Sequence, residues 1–311
     1  MKKKIYYWAS DNKENSGEGI LALNFLKLLK LKYKNYLFIN INKYKYKNNF
    51  IYNYLFPFFG VFKLWKHHIN NEKICYINYL PIWNFLLLIL LPKKTILGPI
   101  TGTNDKNHLI YVILKYLGIF ILKVQKKKIL FSHSQFKKYF FNNSKYFYNF
   151  ILFNFYFKNK YYKKKFDFIF YFKKNRNKGN DFLIKIFSEI SKKYKVAVIG
   201  DKLHLLKKQN VYKFINLKRS EALKVISQSK YAIVSKENNL SFFAIDCVSH
   251  GLHIFYNKNL KLNNSIKTNM YTGIDFNDLE YSIKKIDSLI GNKKKKYFFK
   301  AYTKNFLNYL N

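Results

Sequence analysis

Cysteine, proline, glycine and acidic residues are all scarce in this chain, and each scarcity closes off a class of protein. Two cysteines in 311 residues cannot make a disulfide scaffold. Cys75 and Cys247 sit in apolar surroundings with no second Cys at metal-ligand spacing, so they read as buried thiols of a reducing cytosol. Four prolines and 11 glycines point to the composition that a very AT-rich coding sequence imposes. Among sixteen acidic residues against 58 lysines and arginines no carboxylate pair is placed to bind a metal, and lysine, arginine and helix dipoles can take its place; no metal and no other cofactor is expected. Long apolar runs are missing too. Residues 82–91 are apolar but stop at Pro92, and residues 109–124 are interrupted by Lys115 and Lys123, whereas a membrane span needs about 20 apolar residues. Both segments read as buried or interfacial helices. The start, MKKKIYYWAS, lacks the apolar stretch of a signal peptide, which argues against export and for a cytoplasmic protein.

What the chain does have is a hydrophobic content of 49%, with 20% aromatics. That is enough for two cores in domains of about 150 residues each, so the chain is not disordered in spite of its net charge of +42. Such a charge suits nucleic acid or an anionic membrane, where each lysine gains about 1 kcal/mol at the lipid face. Lys, Asn, Ile, Phe and Tyr are nevertheless over-used together in every kind of segment, as an AT-rich coding sequence imposes whatever the function. The basic residues are evenly spread and no RNA-binding motif is present, so a nucleic-acid-binding protein is kept only as the alternative reading.

The organising stretch is 231–256, YAIVSKENNLSFFAIDCVSHGLHIFY. Two short β-branched and aromatic runs, 231–234 and 252–256, read as buried parallel strands around a helix over 240–250 that Gly251 ends. The turn between them is polar, and in open α/β sheets such turns bind ligands. The backbone N–H groups of Asn239, Leu240 and Ser241 at the helix start favour a phosphate. Asp246, two turns in, suits the hydroxyls of a ribose. The competing reading makes Glu237 a solvated loop charge and Asp246 a helix-face carboxylate with a lysine partner.

The rest of the chain repeats the alternation of strand and helix. A first strand at 4–9 leads through a polar loop with Gly17 and Gly19 to a helix over 20–31, and further strands are expected at 36–40, 73–79, 95–97 and 129–132. The strand at 95–97 runs into a loop containing Gly98, Thr101 and Gly102, and the strand at 129–132 into a polar cluster with His133. Residues 157–165 have no apolar period and read as a linker between an N-terminal domain, 1–156, and a C-terminal domain, 166–295. Strands at 167–172, 195–199 and 211–215 and helices over 181–194, 219–229 and 277–289 fill the second domain. An amphipathic helix over 296–311 is expected to dock back on the first.

Two Rossmann-like halves in tandem resemble a GT-B glycosyltransferase, an α/β fold whose two domains face a central cleft. Lys178-Gly179 opening a helix after a strand, Val198-Ile199-Gly200 ending the next, and Gly98-Pro99-Ile100-Thr101-Gly102 resemble motifs of the glycosyltransferase group 1 family of bacterial lipopolysaccharide and polysaccharide biosynthesis. The family's Glu, seven residues, Glu, with a Gly five further on, is met here by Asp246 and Gly251, with Asn238 at the first acidic position and Glu237 one residue early. The resemblance implies a metal-independent, retaining transferase that moves a sugar from a nucleotide-diphosphate donor to a hydroxyl of a glycan or lipid-linked acceptor. Catalysis would fall to Lys178, with Arg176 or Lys173 beside it, and Glu237. The donor would be held by Lys173, Gly179, Asn238, Asn239, Leu240, Ser241 and Asp246, and the acceptor side by Gly17, Gly19, Gly98, Thr101, Gly102 and His133. A degenerate relative that binds without catalysing is the other alternative. A basic, aromatic N-terminal half, including residues 50–68 and 82–91, suits peripheral contact with the anionic inner face of the plasma membrane.

Overall fold

The computed structural model describes residues 5–11, 17–32, 36–38, 50–101, 109–125, 127–131, 146–148, 162–172, 180–200, 210–215, 217–236, 241–260 and 270–291. The chain divides into two compact units, residues 1–154 with 302–311, and residues 155–301.

Unit 1 is built on β1 (Ile5–Trp8), β2 (Tyr36–Phe38), β3 (Lys73–Pro81), β4 (Ile96–Thr101), β5 (Lys128–Phe131) and β6 (Tyr146–Tyr148), in the order β2-β1-β3-β4-β5-β6. Every pairing is parallel. An all-parallel sheet needs a cover on both faces, which is why its strands read as apolar runs rather than alternating ones. The cover comes from α1 (Gly17–Lys32), α2 (Phe50–Ile69), α3 (Phe85–Leu90) and α4 (Leu109–Val124). Trp8 is central, its ring 4.6 Å from Tyr76 and 5.7 Å from Phe56. The Tyr76 hydroxyl donates to the Pro57 carbonyl at 3.0 Å and so ties β3 to α2.

Unit 2 has β7 (Phe166–Phe172), β8 (Val196–Gly200), β9 (Val211–Ile215), β10 (Ser229–Ile233), β11 (His253–Asn257) and β12 (Tyr271–Ile274), again all parallel, in the order β12-β11-β10-β7-β8-β9. Its helices are α5 (Asn180–Lys193), α6 (Arg219–Ser227), α7 (Phe242–Ser249) and α8 (Leu279–Gly291). Phe187 of α5 meets Phe170 and Phe172 of β7 edge-on at 5.5 and 5.8 Å.

Strand order reverses once in each sheet, between β1 and β3 and between β7 and β10. Ligands of doubly wound sheets bind beyond the carboxyl ends of the strands at such points. Two strands were not anticipated. β6 and β12 are short edge strands; the Tyr271–Ile274 run, with its Thr and Gly, carries little of a buried strand's apolar signature. The helix expected over 296–311 lies outside the described residues.

Gly98 and Gly200 are placed by close approach of backbone. Each adopts a φ that L side chains rarely take, +127° and +122°, and a Cβ would stand 2.6 Å from the Leu130 carbonyl oxygen or 2.0 Å from that of Phe172. At Gly98 this corrects the sequence reading. Gly98 and Thr101 lie within β4 rather than in a loop, because the strand resumes after a register shift and Ile100 pairs with Leu80 and Phe131.

Lys127 is completely buried, and its ammonium donates to the carbonyls of Leu88 and, at 2.7 Å, Leu91. It thereby satisfies two acceptors that the end of α3 leaves open. Burial pushes its pKa down to about 7, while the carbonyl acceptors favour the charged form. The unfolded chain therefore binds the proton more tightly, and this group adds stability as pH rises from about 7 toward the free-lysine value of 10.5. Lys127→Ala should lower the stability of unit 1 by about 2–4 kcal/mol, through two orphaned carbonyls and a cavity, and should remove that pH dependence. All three tryptophans, Trp8, Trp65 and Trp83, belong to this unit, so denaturation followed by tryptophan fluorescence measures it directly.

Candidate functional site

In unit 2 the strand-order reversal brings the carboxyl ends of β7 and β10 side by side. Residues 173–179, which carry Lys173, Arg176, Lys178 and Gly179, connect β7 to α5, and residues 237–240, which carry Glu237, Asn238, Asn239 and Leu240, lead toward α7. Both stretches lie outside the described residues. The two groups of predicted donor residues thus issue from adjacent strands.

The described frame around them is specific. The expected helix start at Leu240 is corrected by two residues. α7 begins at Phe242 because Ser241 is its N-cap, its hydroxyl accepting from the Ala244 N–H at 3.2 Å. The N–H groups of Phe242 and Phe243 precede the intrahelical ladder, and with the dipole behind them they form the anion-favouring end of the helix. Asn257, buried at the end of β11, donates to the Lys236 carbonyl at 3.2 Å and fixes the chain entering this turn.

Asp246 is 3% exposed and accepts from the Arg219 guanidinium at 2.8 Å. It has a cationic partner, as the competing sequence reading held, but the partner is an arginine and the carboxylate is buried rather than on an open face. Arg219 is the first residue of α6, where the helix dipole disfavours a cation; its place follows from the carboxylate it holds. Burial pushes the Asp246 pKa up to about 6, with Arg219 pulling the other way. His250, at the end of the same helix, bonds the Asp246 carbonyl through Nδ1 at 2.8 Å, and burial lowers its pKa.

Unit 1 has a smaller polar group at its own reversal. Gly17 and Gly19, expected in a loop, lie in the first turn of α1 with Glu18 between them. The Ser10 hydroxyl, just past β1, donates to the Glu18 carboxylate and lies 3.2 Å from Asn78 Oδ1 on β3. Gly102 and His133 lie outside the described residues. Among the described residues no group of three His, Cys, Asp or Glu stands together to hold a metal.

Arg219, Ser10, Glu18, Asn78 and Asn257 were not singled out from the sequence. Arg219 had left a signal. It is one of two arginines among 58 basic residues, the other being Arg176. In a chain where lysine takes almost every cationic position, an arginine marks a site that needs the planar fork. The Ser10–Asn78 contact, which joins residues far apart in the sequence, left none.

No protein-family model and no curated protein sequence matches the chain. Solved structures do. The sucrose-phosphate synthase of Thermosynechococcus elongatus is similar with a TM-score of 0.60 at 10% identity, over 99% of this chain and 94% of that one. A lipopolysaccharide outer core galactosyltransferase gives 0.58 at 11%, over 99% of each chain. The UDP-GlcNAc 2-epimerase of Methanocaldococcus jannaschii, solved with UDP-GlcNAc and UDP, gives 0.57 at 10%, over 99% and 98%. At these identities the likeness shows the fold, two Rossmann-like α/β domains of the GT-B class.

Arg219→Ala would leave the Asp246 carboxylate buried without its cation, and should cost about 3–5 kcal/mol. Adding Asp246→Asn should restore most of that loss. The folded state binds the Asp246 proton more tightly than the free carboxyl does, so this group's contribution to stability rises as pH falls from about 6 toward 3.8. Unit 2 has no tryptophan, so far-ultraviolet circular dichroism is the readout.

Proposed function

We propose that this GT-B chain is a glycosyltransferase that takes its sugar from a nucleotide-diphosphate donor and delivers it to a hydroxyl of a polysaccharide or lipid-linked acceptor, in cell-surface glycan synthesis at the inner face of the plasma membrane. The observation that carries the reading is the capped start of α7 beside the buried Asp246–Arg219 pair, at the strand-order reversal of unit 2. It supports the reading because the helix start would donate to phosphate and Asp246, on the same helix, would accept from a ribose hydroxyl, as a nucleotide requires.

In this reading the first-turn N–H groups of α7 hold the diphosphate, and Lys178, with Arg176 or Lys173, neutralises the charge that grows on it as the sugar leaves. Donors aimed at developing charge usually contribute most to such a reaction. Asp246 accepts from the ribose, with Arg219 keeping it ionised and oriented, and Glu237 or Asn238 binds the donor sugar. No metal is needed where lysine, arginine and a helix dipole face the leaving group. Retention of configuration is expected from the family resemblance.

Calorimetric titration with UDP, GDP and CMP at about 0.15 M salt, repeated at several times that concentration, separates site binding from counterion release. One nucleoside diphosphate should bind saturably and survive the salt. Asp246→Asn should weaken it roughly 10- to 100-fold, as loss of a charged hydrogen bond does. Wild-type affinity should fall as pH drops through about 6, and the Asn variant should be flat there. Binding only of a single-stranded oligonucleotide, steeply salt-dependent, would instead support the nucleic-acid reading.

A further inference from the structure

Unit 1 carries an apolar face that its own core does not use. In α4, Gly118, Ile119, Ile121 and Leu122 are buried, while Ile113, Phe120 and Val124 on the other side are 56%, 64% and 60% exposed. A helix with apolar rows on both its faces belongs in an interior or against lipid. The neighbouring helices repeat the pattern. Leu87 and Leu88 of α3 are buried with Leu86 and Ile89 outside, and α2 turns Phe59, Phe62 and Ile69 outward. These are not separate patches. Trp65 Nε1 of α2 donates to the Leu90 carbonyl at the end of α3 at 2.6 Å, Gln125 after α4 donates to the Ile89 carbonyl at 3.3 Å, and the Trp83 ring meets Tyr111 edge-on. Isolated exposed apolar residues are ordinary; three adjoining helices with outward apolar rows are not.

Charge selects the occupant. None of the three helices contains an Asp or Glu, and between Glu72 and Asp167 the sole acidic residue is Asp105. Exposed Lys63, Lys66, Lys93, Lys94 and Lys123 stand on or beside the face. A second copy would bring the same positive charge against it. Apolar rows, a lysine rim and two half-exposed tryptophans, Trp65 and Trp83, match instead the layered chemistry of an anionic bilayer surface. We propose that the outward face of α2, α3 and α4 docks in the interfacial layer of an anionic lipid bilayer. This deepens the proposed function and rests on it for the idea of a lipid-linked acceptor, but the face itself is independent of the nucleotide site. Among the described residues no helix is long and apolar enough to cross a membrane.

The test uses the full chain. Cys75 and Cys247 are completely buried, so Phe120→Cys can be labelled selectively with an environment-sensitive fluorophore and mixed with vesicles of phosphatidylcholine alone or with one third phosphatidylglycerol. Phosphatidylglycerol vesicles should bind the protein, shift the probe to the blue and, when brominated lipid is used, quench it. Lys63→Glu with Lys66→Glu should weaken binding roughly fivefold or more per lysine, and Ile113→Asp should abolish insertion while leaving nucleotide binding unchanged. Binding without a probe shift, binding indifferent to Ile113→Asp, or a shift that follows protein concentration without vesicles, which would assign the face to a second copy, each overturns the proposal. Insertion by a protein that binds no nucleotide would leave this inference standing and remove the transferase reading.

Discussion

A parallel sheet has no face it can leave in water, and that constraint shapes both halves of this protein. Each sheet must be clothed by the helices that connect its strands, and each connection must turn the same way. The chain therefore winds outward from one strand, returns past it, and winds out on the other side. The reversal is a consequence of covering the sheet, but it leaves a notch at the carboxyl ends of two adjacent strands. In unit 2 the notch is framed by a capped helix, a loop pinned by Asn257 and a buried ion pair. In unit 1 it is framed by Ser10, Glu18 and Asn78.

Much of that frame was legible from residue order alone, and the reasons for success and failure are physical. Buried strands announce themselves as β-branched and aromatic runs, so Val211–Ile215 was placed to the residue and β7, β8 and β11 to within one. Helix ends were less legible, since a cap is an interaction rather than a composition. α7 was started at Leu240 because the apolar pattern begins there, whereas Ser241 can cap only the residues on its C-terminal side. The loop expected at Gly98 turned out to be strand because pairing on both sides resumes beyond the irregularity. A single strand's residues do not report its neighbours.

The site shows the same division. Asp246 could be named from its spacing to Gly251, but not its partner, since Arg219 comes from another helix. The pairing changes what the carboxylate can do. Burial alone favours the neutral acid, which accepts poorly; the guanidinium holds the group toward the charged form. Asp246 and Arg219 are better regarded as one composite acceptor than as a ligand residue and a distant helix contact.

Gly98 and Gly200 carry a further consequence, in terms of mutation rather than of packing. In both, the carbonyl oxygen of a neighbouring strand occupies the volume of a side chain. A coding sequence drifting toward lysine, asparagine, isoleucine, phenylalanine and tyrosine steadily removes glycine wherever another residue will serve. It cannot remove it here, because every substitution meets backbone. The compositional bias that makes this chain's charge hard to interpret therefore also acts as a filter, and the glycines at 98 and 200 that persist under it mark places where the fold permits no side chain at all.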